Sequence, residues 1–336
     1  MNIAIGKIGQ KIIFNRNSEA CDRSNTNGNV GTYLLMKLLI ENNKDDTFYI
    51  ISNNDLGSFE TLPFDNVIDA SKMSHKTFKS LRIDAMFILT GLTSFEQDES
   101  FIGIVNNLNA KYVLLSDDPR CLDSVAEDFR FERKPDKIIS QFQGKYNFKG
   151  KEYDVKYIPI ERASCYKQKI DEPCEKEIDL LIVSNTSGKD YDRVEIVSNL
   201  TKGMKGLNIY GRLSDDERKL LGESNCKGEV KYTEIESLFK RSFSTLIVPI
   251  KKGWVTSKYV EALMHNVIPI FYSDYNTSLL NVDDLIVVKN QWEFVMKYCE
   301  LSSYVKKLKE WQDKLITPYV DGKVLSESLM NLIRRK

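Results

Sequence analysis

Val255-Thr256-Ser257-Lys258-Tyr259-Val260-Glu261-Ala262-Leu263-Met264-His265-Asn266-Val267-Ile268-Pro269-Ile270-Phe271 is the stretch on which the organisation of this chain turns. It reads as a short helix that returns at once to a buried strand. Thr256 or Ser257 can cap the helix, because a hydroxyl there accepts a free amide of the first turn. Lys258 and Glu261 stand three apart and share a helix face. A helix start presents free amides and a favourable dipole to a diphosphate, and Lys258 adds a full positive charge. Glu261 can accept from both hydroxyls of a ribose, as acidic residues do in dinucleotide folds. Asn266 tolerates the left-handed turn needed before the next strand. The plain alternative is an exposed Lys–Glu pair, worth about 0.2–0.5 kcal/mol.

Working outward, the same strand–helix–strand rhythm covers the chain. Ile178–Val183, Leu207–Tyr210, Thr245–Pro249 and Val267–Phe271 are compact apolar strands, with helices at Val194–Leu200 and around Glu261. Upstream, Ile3–Ile5, Phe48–Ile51, Ala85–Leu89 and Tyr112–Leu115 alternate with helical periodicity such as Tyr33-Leu34-Leu35 and Leu38-Leu39-Ile40. This order implies α/β architecture, with parallel sheets and right-handed crossovers. A Lys/Glu/Pro-rich stretch, Gln168–Lys176, separates the two runs and places a boundary near Ile160–Lys176. The expectation is two Rossmann-like domains, residues 1–165 and 166–336, facing across a cleft in the arrangement called GT-B. The amphipathic segments from Trp292 to Arg335 are free to pack back on the first domain.

Composition narrows the classes. A length of 336 residues suits two domains. The 48 basic and 48 acidic residues cancel, so no global field marks a polyanionic partner, although basic residues can still cluster on one face. Six scattered cysteines and two histidines show no zinc-ligand spacing and suit a reducing cytoplasm. No apolar run is long enough to span a membrane.

Ligands of open parallel sheets bind beyond the carboxyl ends of the strands. Ser184-Asn185-Thr186-Ser187-Gly188-Lys189 follows the strand Ile178–Val183 and can present amides to phosphate, with Lys189 and Arg193 adding charge. Gly211 and Gly228 allow close approach of backbone to a base. The candidate donor set is Gly188, Lys189, Arg193, Gly211, Thr256, Lys258 and Glu261.

Several segments, in order, resemble the phage β-glucosyltransferases that modify 5-hydroxymethylcytosine in DNA. They are Ile3-Ala4-Ile5 with Gly9 and Ile12-Ile13, Tyr112–Leu115 followed by Ser116-Asp117, Tyr157–Glu161, Ser187-Gly188, and Thr256 with Lys258 and Glu261. The resemblance implies a GT-B enzyme that transfers a sugar, glucose first among the options, from a UDP-sugar to a hydroxymethylated base with inversion. It implies Asp117 as general base, with Asp118 turned the opposite way if the strand continues. Against it stands a plain Asp-Asp-Pro turn. DNA phosphates would meet Lys72, Lys76, Lys79 and Arg82, or Arg130 and Arg133 with their neighbours Lys134 and Lys137. A monomer acting in the cytoplasm of an infected host is implied. Mg2+ or Mn2+ could assist without a dedicated protein site.

Two departures matter. Lys258 stands where the family has an arginine, keeping charge but losing the planar fork. The polar loop Asn15–Asn29 looks longer than the family's, which leaves sugar and acceptor open. Transfer of a pentose such as arabinose, further glycosylation of a modified base, action on a surface glycan or protein, and a non-catalytic binding module remain as alternatives.

Overall fold

A computed structural model describes residues 1–8, 30–52, 64–90, 99–183, 192–230 and 232–334. The chain divides into two compact units, Met1–Tyr166 with Asp321–Lys336, and Lys167–Val320.

The first unit carries β1 (Asn2–Lys7), β2 (Thr47–Ser52), β3 (Val67–Asp69), β4 (Ala85–Leu89), β5 (Lys111–Ser116), β6 (Lys137–Ser140), β7 (Gly144–Phe148) and β8 (Lys151–Tyr157). They form one sheet in the order β3-β2-β1-β4-β5-β6-β8-β7. All neighbours are parallel except the β7–β8 hairpin. Helices α1 (Val30–Asn42), α2 (His75–Ser80), α3 (Glu99–Asn106) and α4 (Pro119–Glu127) connect the strands. The central strands read as unbroken apolar runs because both of their faces are covered: Ile3, Ala4, Ile5 and Ala85–Leu89 are all buried. The hairpin escapes the sequence reading, since Lys145, Lys151, Glu152, Asp154 and Lys156 keep it polar. Its tip, Lys149-Gly150, has both φ angles positive, 50° and 76°, as a two-residue hairpin turn of the primed type requires. Gly6 in β1 is a packing requirement: a Cβ there would sit 2.3 Å from the Phe101 ring of α3.

The second unit repeats the plan. Strands β9 (Ile178–Val183), β10 (Asn208–Tyr210), β11 (Cys226–Gly228), β12 (Ser242–Ile247), β13 (Ile268–Tyr272) and β14 (Ile286–Val288) run in the order β11-β10-β9-β12-β13-β14, all parallel. Helices α5 (Arg193–Thr201), α6 (Asp215–Leu221), α7 (Tyr232–Lys240), α8 (Lys258–Met264), α9 (Gln291–Cys299) and α10 (Leu301–Leu315) surround them. Leu181, Phe239, Ala262 and Val267 meet in its core. Both sheets thus contain the doubly wound order 3-2-1-4-5-6. The strand order reverses between β1 and β4 in one unit and between β9 and β12 in the other, which is where such sheets bind ligands.

The last helix, α11 (Lys323–Arg334), belongs to the first unit. Its buried face is Leu325, Leu329, Met330 and Ile333. Asn43 donates to Ser326 Oγ at 2.7 Å and Lys137 to the Leu332 carbonyl at 2.9 Å. Lys137 is therefore a fold contact. Among the described residues no helix is long and apolar enough to cross a membrane.

Candidate active site

In the second unit, the segment between β12 and α8 is held by the residues that follow β13. The Gly253 amide donates to the Asp274 carbonyl at 2.7 Å, and Lys252 pairs with the Asp274 carboxylate at 3.4 Å. Tyr275 is buried, and its hydroxyl bridges both backbone groups of Thr256. It accepts from the Thr256 amide at 3.0 Å and donates to the Thr256 carbonyl at 2.9 Å. The Tyr275 ring in turn packs on Phe271, with centroids 4.8 Å apart. A rigid strand end therefore sets where α8 begins.

At that start, the Lys258 ammonium lies 2.8 Å from Glu261 Oε2, with side chains 30% and 16% exposed. The pair is half-buried, so it is not a solvated surface pair, and its position owes more to the loop than to its mutual attraction. Thr256 Oγ1 is buried and has no hydrogen-bond partner among the described residues, a state that is costly without a compensating partner. The expected cap is not formed. Ser257 occupies the N-cap position with helical backbone (φ −67°, ψ −10°) and makes no side-chain cap bond. A cap needs non-helical backbone to aim its oxygen at the first-turn amides. The far end of α8 matches expectation: Asn266 adopts φ 55° before β13. Its amide group donates to the Asp171 carbonyl at 2.6 Å. His265 Nδ1 lies 2.7 Å from the Asp171 carboxylate. Burial lowers the His265 pKa, with Asp171 opposing.

Two of the other donor candidates, Arg193 and Gly211, sit at the same carboxyl edge of this parallel sheet. Gly211 follows β10, and its amide donates to the Gly228 carbonyl at 3.0 Å, so the two glycines meet. Arg193 opens α5, whose start is capped by Asp192 accepting from the Glu195 amide at 2.9 Å. Gly188 and Lys189 lie outside the described residues, as does the loop Asn15–Asn29.

In the first unit, Asp117 directly follows β5. Buried hydroxyls lock the turn: Thr90 donates to Ser116 Oγ at 2.8 Å, Ser116 to the Asp118 carbonyl at 3.0 Å, and Ser140 to the Ser116 carbonyl at 3.0 Å. The strand stops at Ser116, so Asp118 is not a strand residue facing the other way. It is the N-cap of α4, accepting from the Arg120 amide at 2.8 Å, and its carboxylate pairs with the Arg120 guanidinium at 2.6 Å. Pro119 then takes the first helical position, where its missing amide costs nothing. Asp117 keeps solvent access. Crowding by protein nevertheless raises its pKa. Lys7 is the largest opposing influence, Asp118 adds to the rise, and a backbone hydrogen bond opposes it.

The basic clusters separate. Lys76 and Lys79 are exposed on α2, and Lys72 precedes it, 3.6 Å from Asp69. Arg82, with φ 49°, lies beside Leu81 and Asp84, which bond to Asn2 at the start of β1. That is the amino edge of the sheet, away from Asp117. Arg130 and Arg133 are both engaged within the fold. Arg130 forks onto Asp128 and packs at low exposure. Arg133 donates to the carbonyls of Leu108 and Ala110 and lies over the Tyr112 ring. Both guanidiniums are spent on the fold, Arg133 because the turn before β5 carries carbonyls that need donors and Arg130 on the Asp128 carboxylate.

Over the whole of both chains, the structure is similar to T4 phage BGT in complex with its UDP-glucose substrate, with a TM-score of 0.67 and 14% sequence identity. A glycosyltransferase from Rickettsia africae ESF-5 matches over 99% of each chain at a TM-score of 0.57 and 11% identity. Anabaena HepE in complex with UDP matches over 98% of this chain and 100% of that one, at 0.55 and 10%. The fold is GT-B. No family model and no curated protein sequence matches the chain, so the likeness is one of fold. Within the GT-B frame, residues that sequence reasoning missed are the ones that hold the site: Tyr275 and Asp274 behind the α8 start, and Thr90, Ser116 and Ser140 behind Asp117. Their signal is weak, since single polar residues in apolar runs gain meaning only from strand register. Among the described residues no group of three or more His, Cys, Asp or Glu side chains stands close enough to hold a metal ion.

Proposed function

We propose that this protein is an inverting glycosyltransferase that moves a sugar, glucose in the favoured form, from a UDP-sugar to the hydroxyl of a 5-hydroxymethylated pyrimidine in DNA. It would act as a monomer in the cytoplasm of a phage-infected cell. The observation that carries the donor half is the half-buried Lys258–Glu261 pair at the first turn of α8, fixed by Tyr275 at the carboxyl edge of the second sheet. The acceptor half rests on Asp117 at the carboxyl edge of the first sheet and on the order of the resembling segments.

The chemistry follows from these groups. The acceptor alcohol must lose its proton as its oxygen bonds to the anomeric carbon. Asp117 takes that proton as the bond to the diphosphate breaks, and the sugar inverts. General-base help of this kind contributes about 10² to 10⁴. Lys258 and Arg193, with Lys189, would neutralise the charge growing on the departing UDP. Glu261 would hold the ribose. A duplex base must leave the stack to reach such a site.

Mass spectrometry of hydroxymethylated DNA incubated with the protein and a panel of nucleotide sugars tests the reading. A hexose added from UDP-glucose is the expected product. A pentose product would favour arabinose transfer, and donor turnover with glycans or proteins alone would move the acceptor away from DNA.

DNA binding is expected to weaken with salt despite the net charge of zero. Lys72, Lys76 and Lys79 would each release a counterion, so affinity should fall about tenfold or more between roughly 50 and roughly 200 mM salt. Fluorescence anisotropy with labelled duplex measures this, and a flat response would remove phosphate contacts from the acceptor site.

A further inference from the structure

Lys7 ends β1 with only 7% of its surface exposed. A lysine is seldom buried without a purpose for its charge. Pairing across the sheet aligns Lys7 with Leu89 of β4, and Leu89 with Leu115 of β5. These three residues form one row on one face, and Asp117 lies two residues beyond Leu115, directly past the end of β5. The opposite face is closed at Gly6 by Phe101 of α3. The row is locked where it ends, since the Ile8 amide donates to the Leu89 carbonyl and the Thr90 amide to the Leu115 carbonyl, each at 2.9 Å.

We propose that Lys7 is a positioning residue for the transfer step: its ammonium, seated at the carboxyl end of β1 in the row that leads to Asp117, holds that carboxylate in its charged, proton-accepting form. This rests on the reading of Asp117 as the base. The electrostatics agree. Lys7 is the largest influence opposing the rise of the Asp117 pKa. The other groups at this turn do not substitute for it. Asp118 pushes Asp117 the wrong way, and Arg120 is bonded to Asp118. The Cys121 thiol, pushed up to about 12 chiefly by burial, stays neutral. A nearby cation favours the charged form of a carboxylate, so removing it would raise the Asp117 pKa further.

The test uses the full chain and reads Asp117 directly. The infrared band of the protonated carboxyl, isolated as wild type minus Asp117→Asn, is followed against pH in wild-type and Lys7→Met backgrounds. The Asp117 titration should move to higher pH in Lys7→Met and return in Lys7→Arg. The acid limb of transfer from UDP-glucose to hydroxymethylated DNA should move the same way, because the active form is the deprotonated one. An unmoved titration in folded Lys7→Met overturns the proposal. If Lys7→Met does not fold, Lys7→Gln takes its place, and failure of both to fold makes Lys7 structural and also overturns it. Retained transfer in Asp117→Asn would instead remove the base, a separate failure that the titration distinguishes.

Discussion

Asp117→Asn is expected to fold, to bind UDP-sugar as the unaltered protein does, and to lose transfer by about 10²-fold or more. Asn keeps the shape and the hydrogen bonding but cannot accept a proton. The local structure should survive, because the turn is held by Thr90, Ser116 and Ser140 and the α4 cap by Asp118, none of which needs the Asp117 carboxylate. Single-turnover transfer and UDP calorimetry on the same sample separate the two effects. Near-normal turnover in the folded variant would place the base elsewhere. Asp118→Asn is a different experiment from the one sequence reasoning suggests. It removes the charge that pairs with the exposed Arg120 but keeps a side-chain oxygen to cap α4, so its effect on stability should be small, roughly a few tenths of a kcal/mol.

Glu261→Ala carries the second large expectation. Two hydrogen bonds from ribose hydroxyls to a carboxylate, each worth about 1.5–3 kcal/mol when one partner is charged, predict a loss of UDP affinity of more than about 100-fold. The folded state should tolerate the change, since an i,i+3 pair contributes only tenths of a kcal/mol and the α8 start is held by Tyr275. Calorimetry with UDP, and with uracil-free ribose phosphates as a second titrant, reads the loss. Both ligands should weaken together if Glu261 meets the ribose. Unchanged affinity in a folded variant would return Lys258 and Glu261 to the status of a structural pair.

Much of the architecture was legible because burial on both faces leaves a plain mark. Ala85–Leu89 and Ile178–Val183 coincide with β4 and β9, and Tyr112–Leu115 is the core of β5. Strands that are short or at an edge left no such mark. β3, β6, β11 and β14 are three or four residues long, and the β7–β8 hairpin is largely solvated. Clusters of like charge were a poorer guide. Arg130 and Arg133 look like phosphate contacts in one dimension, yet the carbonyls before β5 claim Arg133 and Asp128 claims Arg130.

The sequence by itself determined the alternation of strands and helices and the restart after Gln168–Lys176, because periodicity is a local property of the chain; Lys258 and Glu261 became candidates through helix spacing, and Asp117 through the order of the resembling segments. Tertiary structure alone decided what surrounds them. Strand order brings Lys7 into one row with Leu115, two residues before Asp117, although 110 positions part Lys7 and Asp117 in the chain. The return of β13 places Tyr275 behind Thr256, and the last helix joins the first unit. Each depends on which strands neighbour one another, and that is set by burial summed over a whole sheet, a quantity no local window contains.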